Sequence, residues 1–209
     1  MQQAASDSGW RGSPEVWLQA AYDALLEGGV EAVKILPLAK RLKLSRTSFY
    51  WFFKDREELL GALTARWRDK NTGNLVKQTQ AYAESLAEAM LNVFDCWLDS
   101  ELFDSRFEFA VRSWALQSPE ILAQVQEADQ VRIEALTRMF VRFGLSDTNA
   151  DVRARTTYLV QIGYISMQSR EELAVRMRRI RDYIAIYTGE FPQQRELDRF
   201  FARHGYKPE

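Results

Sequence analysis

LSRTSFYWFFKDREELL, residues 44–60, sets five aromatic side chains in a row (Phe49, Tyr50, Trp51, Phe52, Phe53), with Ser45 and Arg46 ahead of them and Lys54 behind. A folding core can use three of those rings, but no single helical face can hide all five. Ser45 is a helix cap, and in a helix over 46–53 positions 49, 52 and 53 share one face while 46, 47, 50, 51 and 54 share the other. The first set can pack on Leu38 and Leu42 of a short preceding helix. The second set is then left outward, and Arg46, Thr47, Tyr50, Trp51 and Lys54 together offer a planar guanidinium, hydroxyls and an ammonium. Such a face suits a phosphate-lined groove. Two short helices joined by the tight turn Lys43-Leu44-Ser45 make a helix-turn-helix, whose second helix enters the major groove while the first lies across the backbone.

The rest of the chain reads as helical. Between five prolines and ten glycines in 209 residues, apolar residues recur at three and four rather than at two, which predicts an all-α fold of about nine to ten helices. Residues 1–12 are polar and small and are expected to fray. Ser13 caps a first helix with Pro14 at its first position, stopped at Gly28-Gly29, and a short helix follows over about 36–42 with Pro37 in its first turn. Asp55 and Glu58 form a capping box for a long helix with the apolar stripe Leu59, Leu60, Leu63 and Trp67. Helices of about 82–99 and 103–117 lead to Ser118-Pro119, which opens one ending near Gly144. Thr148 with Asp151, and Ser169 with Glu172, read as capping boxes for two more, and a last short helix spans about 193–202. No linker is evident, so the expected border, 1–58 against 59–209, rests on a change of chemistry.

Composition narrows the function classes. No apolar run exceeds five residues, far below the roughly 18 needed to span a bilayer, and MQQAASDSGWRGS has no apolar signal segment, so a cytoplasmic protein is expected. One cysteine, Cys96, and one histidine, His204, leave no internal disulfide and no His/Cys zinc cluster. Neither metal nor cofactor is expected. Net charge is -1, so any nucleic-acid signal must be local, and it is: residues 34–54 hold six basic side chains (Lys34, Lys40, Arg41, Lys43, Arg46, Lys54) and no acidic one.

With Leu38, Ala39, Leu42, Leu44, Ser45, Tyr50, Phe53, Arg56 and Leu59 at their spacings, residues 14–67 resemble the TetR family of bacterial transcriptional regulators. Two positions depart from the family pattern. Lys43 stands where glycine is usual, in a turn position that often needs positive φ, and Lys34 replaces a threonine N-cap, exchanging a capping oxygen for a phosphate-seeking charge. The resemblance implies an N-terminal three-helix DNA-binding domain and a C-terminal helical domain for effector binding and dimerisation. It further implies that Tyr50, Lys54 and Ser48, or the Ser48 backbone N–H, touch phosphates, and that Arg46 and Thr47 reach base edges. Lys34, Lys43 and Trp51 complete the expected DNA-binding set.

Beyond residue 67 the expectations concern a dimer and a ligand. Val152, Thr156, Leu159, Val160, Gly163 and Met167 on one helix carry apolar surface in excess of what an intrachain neighbour needs. On the next, Leu173, Met177, Ile180, Ile184 and Tyr187 are spaced 4, 3, 4, 3, a seam of coiled-coil period that wants a partner helix. A homodimer through these two helices requires a palindromic operator. Family resemblance supplies the idea of a pocket within 80–143 for a small, mostly apolar effector whose binding moves the long helix and respaces the recognition helices. Phe94, Trp97, Phe103, Phe107, Trp114, Met139 and Phe140 are bulky enough to line it. Arg132 interrupts the stripe Val125, Ala128, Leu136, Met139 and Phe143, and its partner is either Asp129 one turn earlier or a ligand carboxylate or hydroxyl.

Three rival classes have less behind them. An all-α enzyme would have one histidine, no Gly-rich phosphate loop, and acid pairs (Glu57/Glu58, Glu171/Glu172) that helix-dipole complementarity explains. Against a membrane-surface protein, the basic residues lie in short helices with a turn between them. A family member that has lost operator binding would not need Arg46, Tyr50 and Lys54.

Overall fold

Ser13 starts the described chain as the sequence requires: its Oγ accepts from the Val16 N–H at 3.4 Å, and Pro14 occupies the first turn of α1 (Pro14–Gly28). The computed structural model describes residues 12–208, so the expectation of a frayed start lies outside the described residues up to residue 11. Helix α1 ends where Gly29 adopts φ 71°, a conformation that costs a residue with a side chain. A 3-10 turn (Val30–Ala32) leads to α2 (Ile35–Leu42), α3 (Arg46–Phe49) and α4 (Arg56–Trp67). The chain divides into two compact units between Arg66 and Trp67. That division follows α4 further than residue 58, because its polar ties to the first unit continue to Arg66, which reaches Gln19 at 2.9 Å and lies over the Tyr22 ring.

The first unit is organised around Trp17 and Phe49, both fully buried, in edge-to-face contact at 5.3 Å. Leu25, Leu38, Leu59 and Leu63 are also fully buried, each such side chain stabilising by about 1.5–3 kcal/mol relative to exposure. Arg56 fixes the approach to α2 by donating to the Val33 and Val30 carbonyls at 2.6 and 2.8 Å. Asp55 accepts from the Glu58 N–H at 2.9 Å, while the Glu58 carboxylate accepts from Lys54 rather than Asp55. The box therefore closes one residue early.

In the second unit the backbone stays helical through a π-helical turn (Arg68–Gly73) into α5 (Asn74–Gln80). Then follow α6 (Leu86–Leu98), α7 (Ser105–Ala115), α8 (Pro119–Arg142), α9 (Asp147–Ser166), α10 (Leu173–Thr188) and α11 (Gln194–Arg203). No strand occurs among the described residues, so the fold is all-α. Helix α8 packs along α9 and α7, α6 against α5, α10 and α11, and their buried faces form one core around Phe94, Leu136, Phe140, Ile180 and Phe200.

Two expected capping boxes do not form. Helix α9 begins at Asp147, so Thr148 is already helical, and α10 begins only at Leu173; neither Ser146 nor Glu172 makes a side-chain cap bond. A reciprocal box forms instead at Gln193 and Glu196, where Glu196 also accepts from Ser85 at 2.7 Å. With Arg199 on Glu88, and both Arg203 and His204 on Asp95, this clamps α11 to α6. Among the described residues no helix is long and apolar enough to cross a membrane.

Candidate nucleic-acid interface and interior sites

The turn between α2 and α3 leads into the face expected to contact DNA. Lys43 sits at φ 54°, ψ 36°, left-handed as the sequence position demands, and the Leu44 N–H returns to the Ala39 carbonyl at 2.9 Å. This closes α2 with the six-to-one bond that normally takes glycine, at a cost of roughly 1 kcal/mol for a residue with a Cβ. Ser45 then accepts from the Ser48 N–H at 3.2 Å to start α3. Regular helix lasts only to Phe49, shorter than the expected 46–53. Beyond it the bonds tighten to three-residue spans, Tyr50 to Thr47 at 3.2 Å and Phe52 to Phe49 at 3.0 Å.

The tightened turn keeps the two faces apart. Phe49 and Phe53 are buried and stacked at 5.5 Å, and Phe52 is half-buried. Arg46, Thr47, Tyr50, Trp51 and Lys54 are exposed, Trp51 to 64%. Arg46 donates to the Tyr50 hydroxyl at 3.1 Å and lies 5.8 Å from the centre of its ring, so guanidinium and phenol form one exposed unit. Lys34, at the α2 N-cap without a side-chain cap bond, and Lys43 are exposed as well. Of the six basic side chains in 34–54, Arg41 is paired with Glu27 through two hydrogen bonds and contributes least free charge. Ser48, which the resemblance adds as a phosphate contact, is not exposed with them. It is buried, its N–H is taken by Ser45 Oγ, and its hydroxyl donates to the Ser45 carbonyl at 2.6 Å.

The sequence model of the bacterial regulatory proteins, tetR family, matches residues 18–63, the stretch just described. This stretch is a TetR-family N-terminal domain. Over 81 residues the chain is 32% identical to an uncharacterised HTH-type transcriptional regulator, YdeS, of Bacillus subtilis (strain 168); the match spans 36% of this chain and 41% of that relative. Among solved structures, Salmonella enterica GusR superposes with a TM-score of 0.63 at 13% identity, over 85% of this chain and 95% of its own. A putative TetR-family transcriptional regulator from Mesorhizobium loti superposes with a TM-score of 0.56 at 14% identity, over 91% and 95%. At such identities the likeness speaks for the fold. It extends well beyond the TetR-family domain into the helices of the second unit.

In that second unit the residues expected to line an effector pocket divide. Phe103, Phe107, Met139 and Phe140 are buried as core, Trp114 is half-buried, and none of them borders the cavity found there. Arg132 is fully buried, but Asp129 is not its main partner. It bonds Glu108 at 2.7 and 3.2 Å, Thr72 at 2.8 Å and the Tyr158 hydroxyl at 2.9 Å, whereas Asp129 is 3.8 Å away. Asp129 serves Arg112 and Tyr158 instead. Trp67 Nε1 and Asn71 complete the Glu108 carboxylate at 2.7 and 2.9 Å. Burial alone would raise the Glu108 carboxyl, but Arg132, then Arg112 and Asn71, outweigh it and hold it below the usual carboxylate range. Every charge in this network has its countercharge within the chain.

A cavity does lie elsewhere in this unit, among α6, α9 and α10. It is a partly open recess with a cavity volume of about 30 Å³, or about 400 Å³ when the space open to solvent is counted, and takes in Phe94 and Trp97 of the expected set. Around them stand Thr157, Arg176, Tyr183 and Tyr187, none of which the sequence marks as a ligand residue. Phe94 meets Trp97 edge-on at 5.0 Å, and Tyr183 stacks on Tyr187 at 6.1 Å.

The expected dimer residues divide too. On α9, Val152, Thr156, Leu159, Val160 and Met167 are exposed, and a Cβ built on Gly163 would meet nothing within 4 Å. On α10, however, Met177, Ile180, Ile184 and Tyr187 are buried in their own chain's core, packed toward α6 and α9. The heptad-like spacing is satisfied within the chain. Of its large apolar side chains, α10 leaves Leu173 and Ile186 exposed.

Proposed function

We propose that this protein is a ligand-responsive transcriptional repressor that binds a palindromic operator as a homodimer and releases it on binding a small molecule. The observation that carries the reading is the exposed face of α3 and its turn. Arg46, Thr47, Tyr50, Lys54, Lys43 and Lys34 are exposed, and the apolar rings that support the face are turned into the first unit; in a major groove Arg46 and Thr47 would reach base edges and the others phosphates. The exposed strip Val152, Thr156, Leu159, Val160 and Met167 supports α9 as the subunit contact. A two-fold contact there presents two recognition elements and demands an inverted repeat. The cavity among α6, α9 and α10 supports an effector site, and a role in the cytoplasm follows from the DNA target. A domain border at 58/59 remains our reading of where the chemistry of DNA contact ends.

Selection from a random duplex pool tests this directly. The full-length protein should enrich an inverted repeat whose half-sites lie one helical turn apart. Enrichment of no motif, or of a single unrepeated half-site, overturns the dimeric operator-binding reading.

A further inference from the structure

Two residues that line the α6/α9/α10 cavity each carry a buried polar atom with no hydrogen-bond partner among the described residues, Trp97 Nε1 and Thr157 Oγ1. Both residues are more than nine-tenths buried, so each orphan atom carries a desolvation cost of about 1–3 kcal/mol unless something supplies a partner. Thr157 is unlike its neighbours in this respect. Thr137, Thr156 and Thr188 each donate to the carbonyl four residues back, the usual resort of a helical threonine, and Thr157 does not. A third donor borders the same cavity. Arg176 donates to the Trp97 carbonyl at 3.1 Å, and among the described residues no carboxylate lies within 4 Å of its guanidinium. The one carboxylate on the wall, Glu171, is tied to Arg179 at 2.5 Å. Burial, only partly offset by Glu171, draws Arg176 below the ordinary arginine value, as expected of a cation short of countercharge.

The cavity thus offers a cation, an indole N–H and a free hydroxyl beside the rings of Phe94, Tyr183 and Tyr187. From this juxtaposition we infer that the effector is a planar aromatic carboxylate of one or two rings, its carboxylate on Arg176, Trp97 Nε1 and Thr157 Oγ1 and its ring among the aromatic side chains. This deepens the effector reading given above and rests on it for its regulatory meaning. Guanidinium and carboxylate match as fork to fork, the indole N–H is a donor only, and threonine can donate as well as accept, so the wall selects an acceptor-rich group. A neutral aromatic would leave the cation and the donors unmet.

The test uses the full-length protein, calorimetric titration and three acids (benzoate, phenylacetate, naphthoate), each against its primary amide, with cyclohexanecarboxylate as the non-aromatic control. At least one aromatic acid should bind saturably, once per chain, and at least about tenfold more tightly than its amide and than the control. Arg176→Gln should abolish the preference for acid over amide, with Arg176→Lys retaining part of it. Thr157→Val should weaken the acid, and circular dichroism melts verify that each variant is folded. Amide binding equal to acid binding, an unchanged preference in folded Arg176→Gln, or no saturable binding of any acid up to millimolar concentration would overturn the inference. The two readings fail separately. An acid that binds as described but leaves DNA affinity unchanged refutes the effector role and keeps the ligand class, whereas a neutral compound that binds the cavity and releases DNA refutes the ligand class and keeps the effector role.

Discussion

Arg46 and Arg132 show how differently the two units of this protein treat one side chain. Arg46 stands on an exposed face, held among the described residues by Tyr50. Arg132 is fully enclosed, with Glu108, Tyr158 and Thr72 as hydrogen-bond partners and the rings of Trp67 and Phe103 within 5.4 Å. A weakly held exposed guanidinium is free to exchange its partner for a nucleic acid, so its value is realised in binding. An enclosed one has spent its hydrogen-bonding capacity on the fold. The lesson is that a basic residue in an apolar stripe is a poor sign of a ligand site when the fold can bring it a carboxylate from another helix.

The comparison breaks most visibly at the buried pair. Arg132→Met leaves Glu108 without its principal countercharge and should destabilise the protein by about 3–5 kcal/mol in urea unfolding. Combining it with Glu108→Leu removes both charges and should recover much of that loss. Equal stability of Arg132→Met and wild type would mean that Arg112 alone suffices for Glu108.

A smaller effect is expected in acid. The Glu108 carboxyl is depressed below its ordinary 4.5 in the folded chain. Its contribution is therefore fully present above about pH 4.5 and is lost as pH falls through the folded value, where the native state must take up a proton. Urea midpoints measured downward from pH 6 should fall more steeply for wild type than for Glu108→Gln. Parallel profiles would remove Glu108 from the acid response.

On the exposed side, Arg46→Ala should leave the urea midpoint of the protein nearly unchanged, within about 0.5 kcal/mol. Its effect belongs to DNA, where it should cost about 1–3 kcal/mol of operator affinity and relax base preference at one position of each half-site. Lys54→Ala should weaken all sequences alike and flatten the salt dependence by about one unit. Fluorescence anisotropy at several salt concentrations separates the two roles. Wild-type operator affinity in Arg46→Ala would make the Arg46–Tyr50 pair a surface feature only.

How much of this was legible in the sequence follows from the range of the interactions. Face assignment in residues 46–54, the left-handed turn at Lys43, the Ser13 and Ser45 caps and the stripe on α1 all depend on neighbours within a few residues, and each appears in the structure as read. Local rules erred where a second local solution existed, as at Thr148 and Glu172.

What the sequence by itself determined is therefore the all-α fold and the exposed polar face of residues 46–54, because helical period, capping and turn chemistry are encoded within one or two turns of chain. Only the tertiary structure decided that Arg132 belongs to Glu108, 24 residues away, and to Thr72, 60 away. It also decided that the seam Met177, Ile180, Ile184 and Tyr187 is spent on the chain's own core, and that the cavity opens beside Thr157 and Arg176 rather than around Phe107 and Phe140. A period of seven marks an apolar helix face but not which helix covers it, and a buried charge requires a countercharge without naming it. Those choices are made by which helices pack side by side, and that is fixed by the whole set of contacts at once.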